Sequence, residues 1–386
     1  MTKDKLTILV SGMIAGDPGQ GGAAWAVLQY VLGLRELGFD AWFVEPVSQA
    51  KPEAEGVPLS GSQSAAYFRQ VVADFGLEGA AALVAPENKQ SVGLPYSEVC
   101  RMAERTDALI NISGMMTDEA ILDRIPVRVY LDLDPAFNQL WHAQGIDMRF
   151  SLHTHFVTIG KALGREECRV PTCALPWITT FQPVVLSRWP VASEITRHGF
   201  TTIGNWRSYG SIEHDGVCYG QKAHSLRPLM ELPRKTSARF MLAMAIHSGE
   251  HNDLALLREN GWTLLDPREV AATPAAYQRF IQGSLAELGI AKSGYVESQC
   301  GWFSDRSLCY LASGRPVVAQ ETGFSEFLPT GAGLLAFRTL DEAVAAIEEV
   351  VGDYARHRRA ARRLAEEYFA SEKVLSRLLQ RLGVLA

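Results

Sequence analysis

The alternation of short apolar runs with longer amphipathic segments is the feature that most constrains this fold. Residues 6–11 form a nearly unbroken apolar run, as expected of a strand that is buried on both faces. A glycine-rich loop and a helical pattern over residues 23–37 follow, and residues 39–45 form the next apolar run. Strands that alternate with helices in this way build a parallel sheet with helices on both faces, so the sequence predicts an α/β protein.

The alternation runs through the first half of the chain, breaks once and restarts. Further strands are predicted at residues 80–85, 107–112, 127–132, 155–160, 200–205, 240–246, 291–296 and 317–320, and a helix at residues 277–289. The break contains four prolines and two tryptophans between residues 171 and 190. Because proline fixes its backbone and donates no hydrogen bond, this segment is predicted to be extended and irregular.

The length of the chain predicts two domains. One hydrophobic core rarely serves a chain of 386 residues, so we expect two Rossmann-like domains with a cleft between them. The break in the pattern places an N-terminal domain at residues 1–183 and a C-terminal domain at residues 184–368. A last helix, within residues 369–386, is predicted to pack back on the N-terminal domain.

Charge and cysteine content argue against several classes of function. The formal net charge of −6 gives no support for a nucleic-acid partner, although it does not exclude one. The six cysteines form no CxxC pair, which is typical of reduced thiols in a cytoplasmic protein. The sequence shows neither a secretory signal nor a run long and apolar enough to span a membrane, and it carries no signal for an oligomeric state.

The loop after the first predicted strand is the first candidate site. It contains five glycines, among them Gly22, and is interrupted by Asp17 and Pro18. The spacing fits neither the dinucleotide fingerprint nor the P-loop, which disfavours a Rossmann dehydrogenase. Because glycine allows the backbone to approach a ligand closely, the loop is predicted to contact a ligand; the alternative is a flexible loop without such contact.

Acidic and histidine side chains follow the later strands of the first half. Asp132 and Asp134 end one strand, where a hydrogen-bonding role is favoured over a metal site. His153 and His155 would point to the same face of a strand, as a general-base or metal pair requires; an ordinary hydrogen-bonded pair is the alternative. We predict no metal site.

The second half offers cations at corresponding positions. Trp206 and Arg207 follow the predicted strand at residues 200–205, and Lys222 and His224 lie in a polar cluster downstream. Arginine grips phosphate through two hydrogen bonds and lysine binds it as a point charge. These residues are therefore candidates for binding a phosphate group, with a solvated surface lysine as the alternative for Lys222.

Residues 291–328 present two polar loops beside a predicted helix start. The first loop is followed by a helical pattern that begins at Asp305, and an acidic turn follows the strand at residues 317–320. Helix N-termini at the carboxyl ends of parallel strands attract phosphate groups. The stretch is predicted to bind the charged part of a nucleotide-like ligand through Gly301, Trp302, Phe303, Ser304, Asp305, Glu321, Gly323 and Glu326.

Two motifs in this stretch resemble those of GT-B glycosyltransferases. Residues 300–304, Cys-Gly-Trp-Phe-Ser, are similar to the donor-loop signature HCGWNS of one GT-B group. Residues 311–319, LASGRPVVA, resemble the A-(S/C)-G-(K/R/V)-P-V-V run found across that fold. The resemblance implies a hexosyltransferase-like enzyme that uses a nucleotide-diphosphate sugar without a metal or another cofactor, with the acceptor in the N-terminal domain and the donor in the C-terminal domain.

Departures from the family pattern at three positions affect the catalytic assignment. Gln299 stands where the signature has histidine, and the glutamate pair of retaining relatives would fall on Gly301 and Cys309. The resemblance therefore leaves the stereochemistry, the sugar, the nucleotide and the acceptor open. It also leaves open a nucleotide-sugar epimerase or hydrolase and a non-catalytic nucleotide-sugar-binding protein of the same fold.

A mechanism can still be written for these residues. Arg207, Lys222 and the backbone N–H groups near Ser304 would stabilise the charge that develops on the leaving diphosphate. Asp17, Asp134 or His155 would accept the proton of the acceptor hydroxyl. Asp17 is favoured among the three because its loop is expected to face the cleft.

Overall fold

The computed structural model describes residues 5–48 and 56–385, and its long strands form two separate sheets. The strands are β1 (Thr7–Ser11), β2 (Asp40–Pro46), β3 (Ala81–Ala85), β4 (Gln90–Gly93), β5 (Ala108–Ile112), β6 (Val127–Asp132), β7 (His155–Thr158), β8 (Trp177–Thr179), β9 (Arg197–Asn205), β10 (Ile212–His214), β11 (Val217–Tyr219), β12 (Phe240–Ala245), β13 (Thr263–Leu264), β14 (Ser284–Gly289), β15 (Val317–Gln320) and β16 (Leu334–Phe337).

Helices cover the faces of both sheets. They are α1 (Gly21–Glu36), α2 (Gln63–Asp74), α3 (Tyr96–Ala103), α4 (Glu119–Leu122), α5 (Phe137–Ala143), α6 (Lys222–Leu226), α7 (Leu232–Lys235), α8 (His251–Glu259), α9 (Pro267–Ala271), α10 (Pro274–Gly283), α11 (Ser293–Ser298), α12 (Asp305–Ala312), α13 (Leu340–Gly352), α14 (Tyr354–Leu364) and α15 (Ser371–Arg381). None of the helices in the described part of the chain is both long enough and apolar enough to cross a bilayer.

The first sheet has eight strands in the order β4-β3-β2-β1-β5-β6-β7-β8. Its pairs are parallel except that the edge strand β4 runs antiparallel to β3. All residues of β1, β3 and β5 are buried, which explains why their sequences are apolar without alternation. The strand order reverses between β1 and β5, so a crevice opens at the carboxyl end of β1.

The second sheet has six parallel strands in the order β13-β12-β9-β14-β15-β16. Its order reverses between β9 and β14, which places a second crevice at the carboxyl end of β9. The prediction of an α/β protein with two Rossmann-like sheets is confirmed. The divisions at residues 183 and 368 stay predictions, although α15 does pack against α1 of the first half.

Two predicted elements around residue 290 are wrong. Residues 284–289, predicted as the end of a helix, form β14 between β9 and β15, and the predicted strand at residues 291–296 largely falls in α11. The cause is long-range pairing, which overrides local helix propensity. Glu287 is fully buried in β14 and pairs with Arg306.

Candidate functional site

A cavity of about 390 Å³ lies between the two halves of the chain, where the crevices of the two sheets meet. One wall is the loop after β1 and the start of α1, and the other is formed by the carboxyl ends of β9 and β12 with α9, α10 and the start of α12. Its lining comprises Asp17, Pro18, Gly19, Gln20, Gly21, Gly22, Ala23, Ile203, Gly204, Asn205, Ala245, Pro267, Arg268, Ala271, Tyr277, Asp305 and Arg306.

Two glycines at the start of α1 permit this close approach of the halves. A Cβ atom at Gly21 would lie 2.2 Å from the carbonyl oxygen of Thr273, and one at Gly22 would lie 2.8 Å from Cε2 of Tyr277. The N-cap residue, Gln20, makes no side-chain cap hydrogen bond. The N-terminus of a 16-residue helix therefore faces the cavity, an arrangement that favours an anion.

Glu45 fixes the conformation of the glycine-rich loop by accepting hydrogen bonds from its backbone. Its buried carboxylate accepts hydrogen bonds from the backbone N–H groups of Ile14 at 3.0 Å, Ala15 at 2.8 Å and Gly16 at 2.5 Å. Charge-assisted bonds of this kind are short and strong, so they fix the course of the loop. The sequence analysis missed this role; the available signal was a glutamate at the end of a buried strand in the same sheet as β1.

Arg306 is a charged group built into the cavity wall. Its side chain is 7% exposed, and its Nε donates to Oε1 of the fully buried Glu287 at 2.5 Å. Its Nη1 donates to the carbonyl oxygen of Ile203 at 2.8 Å. Burial alone would lower the pKa of Arg306, but the Glu287 carboxylate raises it by more, so the net shift is upward and the guanidinium stays charged. The two hydrogen bonds hold it in a fixed position.

Lys222 is a second cation next to Arg306. A Cβ atom at Gly204, which lines the cavity, would lie 3.7 Å from Cε of Lys222 and 3.8 Å from Nη1 of Arg306. Burial, followed by the positive charges of Arg306 and Lys292, lowers the pKa of Lys222 to about 7. Lys222 forms no ion pair with any residue in 5–48 or 56–385. It is not itself among the lining residues, so its unmatched positive charge lies beside the cavity, next to Gly204.

Two of the described residues that line the cavity carry carboxylates, Asp17 and Asp305. Asp17 is exposed, and its Oδ2 accepts a hydrogen bond from Nε2 of Gln20 at 2.5 Å. Asp305 is the first residue of α12, whose N-cap Ser304 accepts a hydrogen bond from the backbone N–H of Arg306 at 3.3 Å. The structure therefore brings Asp17, Gly22 and Asp305 of the predicted site residues together.

Asp134 is not available as a base. Nζ of Lys292 donates to its two carboxylate oxygens at 2.9 and 3.1 Å, and the hydroxyls of Tyr209 and Tyr295 donate to it as well. It does not line the cavity. The prediction that Asp134 could accept a proton is therefore corrected: its lone pairs are occupied by three donors from the other half of the chain.

Asp132 has a related structural role. Its buried carboxylate accepts hydrogen bonds from Asn138 at 2.6 Å, Gln139 at 2.8 Å and Thr158 at 2.7 Å. Burial raises the pKa of Asp132 to about 6. The group therefore anchors the start of α5.

His155 lies at the wrong edge of the sheet for catalysis. It is the first residue of β7 and pairs with Val129 near the start of the parallel strand β6. The cavity lies at the carboxyl ends of the strands, so His155 is at the opposite edge. Its Nδ1 instead lies 2.9 Å from the hydroxyl of Thr154, and its predicted role as a base is corrected.

The predicted cluster after β9 shapes that loop instead of lining the cavity. Arg207 donates from Nε to Glu250 at 2.5 Å, so its guanidinium is already paired. Trp206 is fully buried and donates from Nε1 to Asp253 at 3.1 Å. His224 accepts a hydrogen bond on Nδ1 from the backbone N–H of Gln221 at 2.9 Å, which caps α6.

The loop at residues 301–304 is held by packing. Gly301 has a φ of +73°, and a Cβ atom there would lie 2.8 Å from the backbone nitrogen of Ala162. Trp302 stacks on Tyr295 with ring centroids 4.3 Å apart, and Phe303 stacks on Phe369 at 5.6 Å. These contacts position the start of α12 and do not place the side chains in the cavity.

The acidic turn has hydrogen bonds and an ion pair of its own. Oε1 of Glu321 accepts hydrogen bonds from the backbone N–H groups of Thr322 at 3.0 Å and Gly323 at 2.7 Å. Glu326 pairs with Arg165 of the first half at 3.2 Å. Glu321 and Glu326 therefore stabilise the turn and the contact between the halves; neither lines the cavity, and the predicted donor contacts of this turn stay predictions.

A metal site does not emerge from the described residues, since no three His, Cys, Asp or Glu side chains among them are grouped to hold an ion. The charged and polar groups that line the cavity are the start of α1, Arg268, Arg306, Asp17 and Asp305, and Lys222 lies next to the lining residue Gly204. This set suits a ligand that carries a multiply charged anion and a hydroxyl-bearing portion.

Comparisons with solved structures agree with the fold. No protein-family model matches the sequence, and no curated protein is detectably similar to it. Anabaena HepE in complex with UDP and glucose is 12% identical, with a TM-score of 0.59 over 98% of this chain and 100% of that chain. An alpha-glucosyltransferase in complex with UDP and a 13-mer DNA is 12% identical, with a TM-score of 0.62 over 99% and 100%.

A glycosyltransferase from Rickettsia africae is 10% identical, with a TM-score of 0.54 over 99% of each chain. These similarities extend over nearly the whole of both chains, so they include both sheets and their relative placement. The resemblance seen in the sequence is thereby confirmed at the level of the fold. The chain has the GT-B fold of these glycosyltransferases.

Proposed function

We propose that this protein is a glycosyltransferase that moves a sugar from a nucleotide-diphosphate sugar to an acceptor hydroxyl without a metal ion. The observation that carries the proposal is the cavity between the halves, where the start of α1, Lys222 and Arg306 are placed around one space. Several structures of the same fold contain UDP, which supports a uridine diphosphate sugar as the donor.

The cations act on the leaving group. As the bond between the sugar and the diphosphate breaks, negative charge grows on the diphosphate oxygen. Arg306 is held in place by Glu287 and Ile203, so it stabilises that charge without rearranging. Lys222 adds the positive charge of its ammonium group, and the helix N-terminus adds backbone N–H donors. Together these groups supply the neutralisation that a metal ion provides in other transferases.

Asp17 is the proposed base. Among the three predicted candidates, it is the one that lines the cavity. The acceptor oxygen forms a new bond to the anomeric carbon while the bond to the diphosphate breaks, and the hydroxyl proton passes to the Asp17 carboxylate. Its hydrogen bond to Gln20 orients the carboxylate for this transfer.

Close contact between the halves protects the donor from water. Nε1 of Trp25 donates to the carbonyl oxygen of Pro274 at 2.9 Å. The hydroxyl of Tyr67 donates to the carbonyl oxygen of Ala272 at 2.9 Å. Both hydrogen bonds join the first half to the α9–α10 region. Exclusion of water strengthens the electrostatic contacts in the cavity and suppresses hydrolysis of the donor.

Two experiments test the function. Thermal unfolding is followed with UDP-, GDP- and dTDP-linked sugars and with NAD, and stabilisation by a sugar nucleotide but not by NAD is expected. Mass spectrometry of reactions with an acceptor library then detects the glycosylated product. Binding without product would favour the non-catalytic alternative, release of free sugar would favour a hydrolase, and no stabilisation by any sugar nucleotide would contradict the proposal.

We further propose that the reaction takes place in the cytoplasm, which the six unpaired cysteines support. Two structures of an alpha-glucosyltransferase with the same fold contain DNA, so an oligonucleotide belongs in the acceptor library. The net charge of −6 argues against a DNA acceptor. Transfer of sugar to DNA that decreases as the salt concentration rises would overturn the preference for an acceptor other than DNA.

A further inference from the structure

Three cations gather at the boundary between the two halves, beside the loop that carries Gly301. Lys161 and Arg165 follow β7 in the first half, and Arg381 is the last residue of α15. A Cβ atom at Gly301 would lie 3.2 Å from Cβ of Lys161 and 3.2 Å from the ring of Phe327. We call Lys161, Arg165 and Arg381 the seam cluster; none of them lines the cavity described above.

Shared contacts hold the three charges close together. Nζ of Lys161 lies 3.5 Å from Oγ1 of Thr179, and Nη1 of Arg381 donates to the carbonyl oxygen of the same residue at 2.7 Å. Nζ of Lys161 lies 5.7 Å from the ring centroid of Phe327, over which Cζ of Arg165 lies at 4.3 Å. One threonine and one aromatic ring therefore connect all three side chains.

The positive charge of the seam cluster is only partly balanced. Arg165 pairs with Glu326 at 3.2 Å, but both side chains are about half exposed, so solvent screens the pair. Lys161 and Arg381 form no ion pair with a residue in the described part of the chain. Burial, followed by the charges of Arg381 and Arg165, lowers the pKa of Lys161.

We propose that the seam cluster is a binding site for a phosphate-type oxyanion, either free or as the monoester group of a ligand. The lysine contributes a compact charge with rotatable donors, and the two guanidinium groups contribute planar pairs of donors. Two or more negative charges on one tetrahedral group would match the surplus positive charge. Cation–π contacts with Phe181 and Phe327 hold Lys161 in place for this task.

Binding at the seam cluster would also join the two halves. Lys161 and Arg165 belong to the first half, whereas Glu326 and Phe327 belong to the turn after β15. Ala162, next to Lys161, donates from its backbone nitrogen to the carbonyl oxygen of Cys300 at 3.0 Å. An oxyanion that orders Lys161 therefore supports the loop in front of α12 from outside the cavity. The site itself does not depend on the proposed transferase function.

The test is a calorimetric titration of inorganic phosphate into the full-length protein saturated with UDP at low ionic strength. UDP occupies the cations of the cavity, so heat from phosphate reports on another site. We expect one phosphate per chain, binding about tenfold weaker in Arg381→Gln and lost in the Lys161→Gln/Arg381→Gln double variant. Arg359→Gln, which removes an exposed arginine from α14, is the charge-matched control and should bind as the wild type does.

Arg381 is exposed and makes a single carbonyl contact, so its variant should unfold at the wild-type temperature. Glycerol 1-phosphate is titrated in parallel: tighter binding than inorganic phosphate indicates a ligand-borne group, and equal binding indicates free phosphate. Absence of phosphate binding in the wild type, or equal binding in the double variant, would overturn the proposal. If UDP itself gives no heat, the proposed donor site fails separately, and the phosphate titration is repeated in Lys222→Met.

Discussion

Two of the charge clusters between the halves of this molecule differ in how completely their charges are matched. In the first, Lys292 and Asp134 form an ion pair at 2.9 Å, and two tyrosine hydroxyls complete the shell of the carboxylate. In the second, Lys222 lies next to Arg306, and Lys222 itself forms no ion pair with any described residue. The first cluster is complete without a ligand, and the second is not.

The difference separates a structural contact from a binding site. Burial lowers the pKa of both Lys292 and Lys222. At Lys292 the hydrogen-bonded Asp134 opposes the shift, whereas at Lys222 the charges of Arg306 and Lys292 increase it more than those of Asp134 and Asp305 oppose it. An unmatched, partly buried charge destabilises the folded protein. Its presence beside a helix N-terminus is explained if a ligand supplies the missing negative charge.

The largest effect is expected from breaking the matched cluster. In Asp134→Asn, Lys292 loses its counter-charge in a site where its side chain is only 11% exposed. The free energy of unfolding should fall by about 3 kcal/mol, measured by urea denaturation. Asp123→Asn, at an exposed position on the first half, is the control. A loss equal to that of the control would mean that the pair does not hold the halves together.

Removing the unmatched charge of Lys222 should weaken ligand binding without lowering the stability of the fold. Lys222→Met is expected to weaken UDP binding about 100-fold, because charge-assisted hydrogen bonds to the diphosphate are lost. Its stability should equal or exceed that of the wild type, because no ion pair is broken. Lys235→Met, at an exposed site in α7, controls for loss of a lysine. Destabilisation of Lys222→Met comparable to that of Asp134→Asn would erase the distinction between the two clusters.

The pKa of Lys222 predicts a pH dependence of binding. Free Lys222 has a pKa of about 7, and a bound diphosphate raises it, so Lys222 is charged in both states below pH 7. Above pH 7 binding requires uptake of a proton, and UDP affinity should fall by up to about tenfold per pH unit. Calorimetry at pH 8 in buffers of different ionisation enthalpy should detect this uptake. Equal uptake in Lys222→Met would assign the proton to another group.

A smaller effect should follow from filling the space at the start of α1. In Gly22→Ala, the new methyl group would meet the ring of Tyr277, which must move for the halves to stay closed. UDP affinity is expected to fall about fivefold, equivalent to about 1 kcal/mol. Gly210→Ala, where no atom lies within 4 Å of the added Cβ, is the matched control. Wild-type affinity in Gly22→Ala would show that binding tolerates a wider separation of the halves.

The sequence predicted most strands of the two sheets, though not β14, and a site at the strand ends, because both follow from local patterns. The apolar run of β1 and the glycines after it define a strand end, and strand ends define where ligands bind. Asp17, Gly22 and Asp305 were predicted on this basis and do line the cavity.

What the sequence could not show is the pairing of distant charges. Arg306 pairs with Glu287, which lies nineteen positions earlier in the chain in β14, a strand that the local pattern did not predict. Asp134 looked like a free carboxylate, yet its partner Lys292 is 158 positions away. The sequence pattern predicts Arg207 as a phosphate ligand, but its guanidinium already forms an ion pair with Glu250. Such pairs depend on the tertiary fold and leave no periodic signal.

The most direct test of the account compares UDP with uridine in a calorimetric titration of the wild-type protein at pH 7. If the unmatched charge of Lys222 and the fixed guanidinium of Arg306 exist to meet a diphosphate, UDP should bind at one site per chain and at least about 100-fold more tightly than uridine. Equal affinities for the two ligands, or no binding of UDP, would contradict the claim that Lys222 and Arg306 form a diphosphate site.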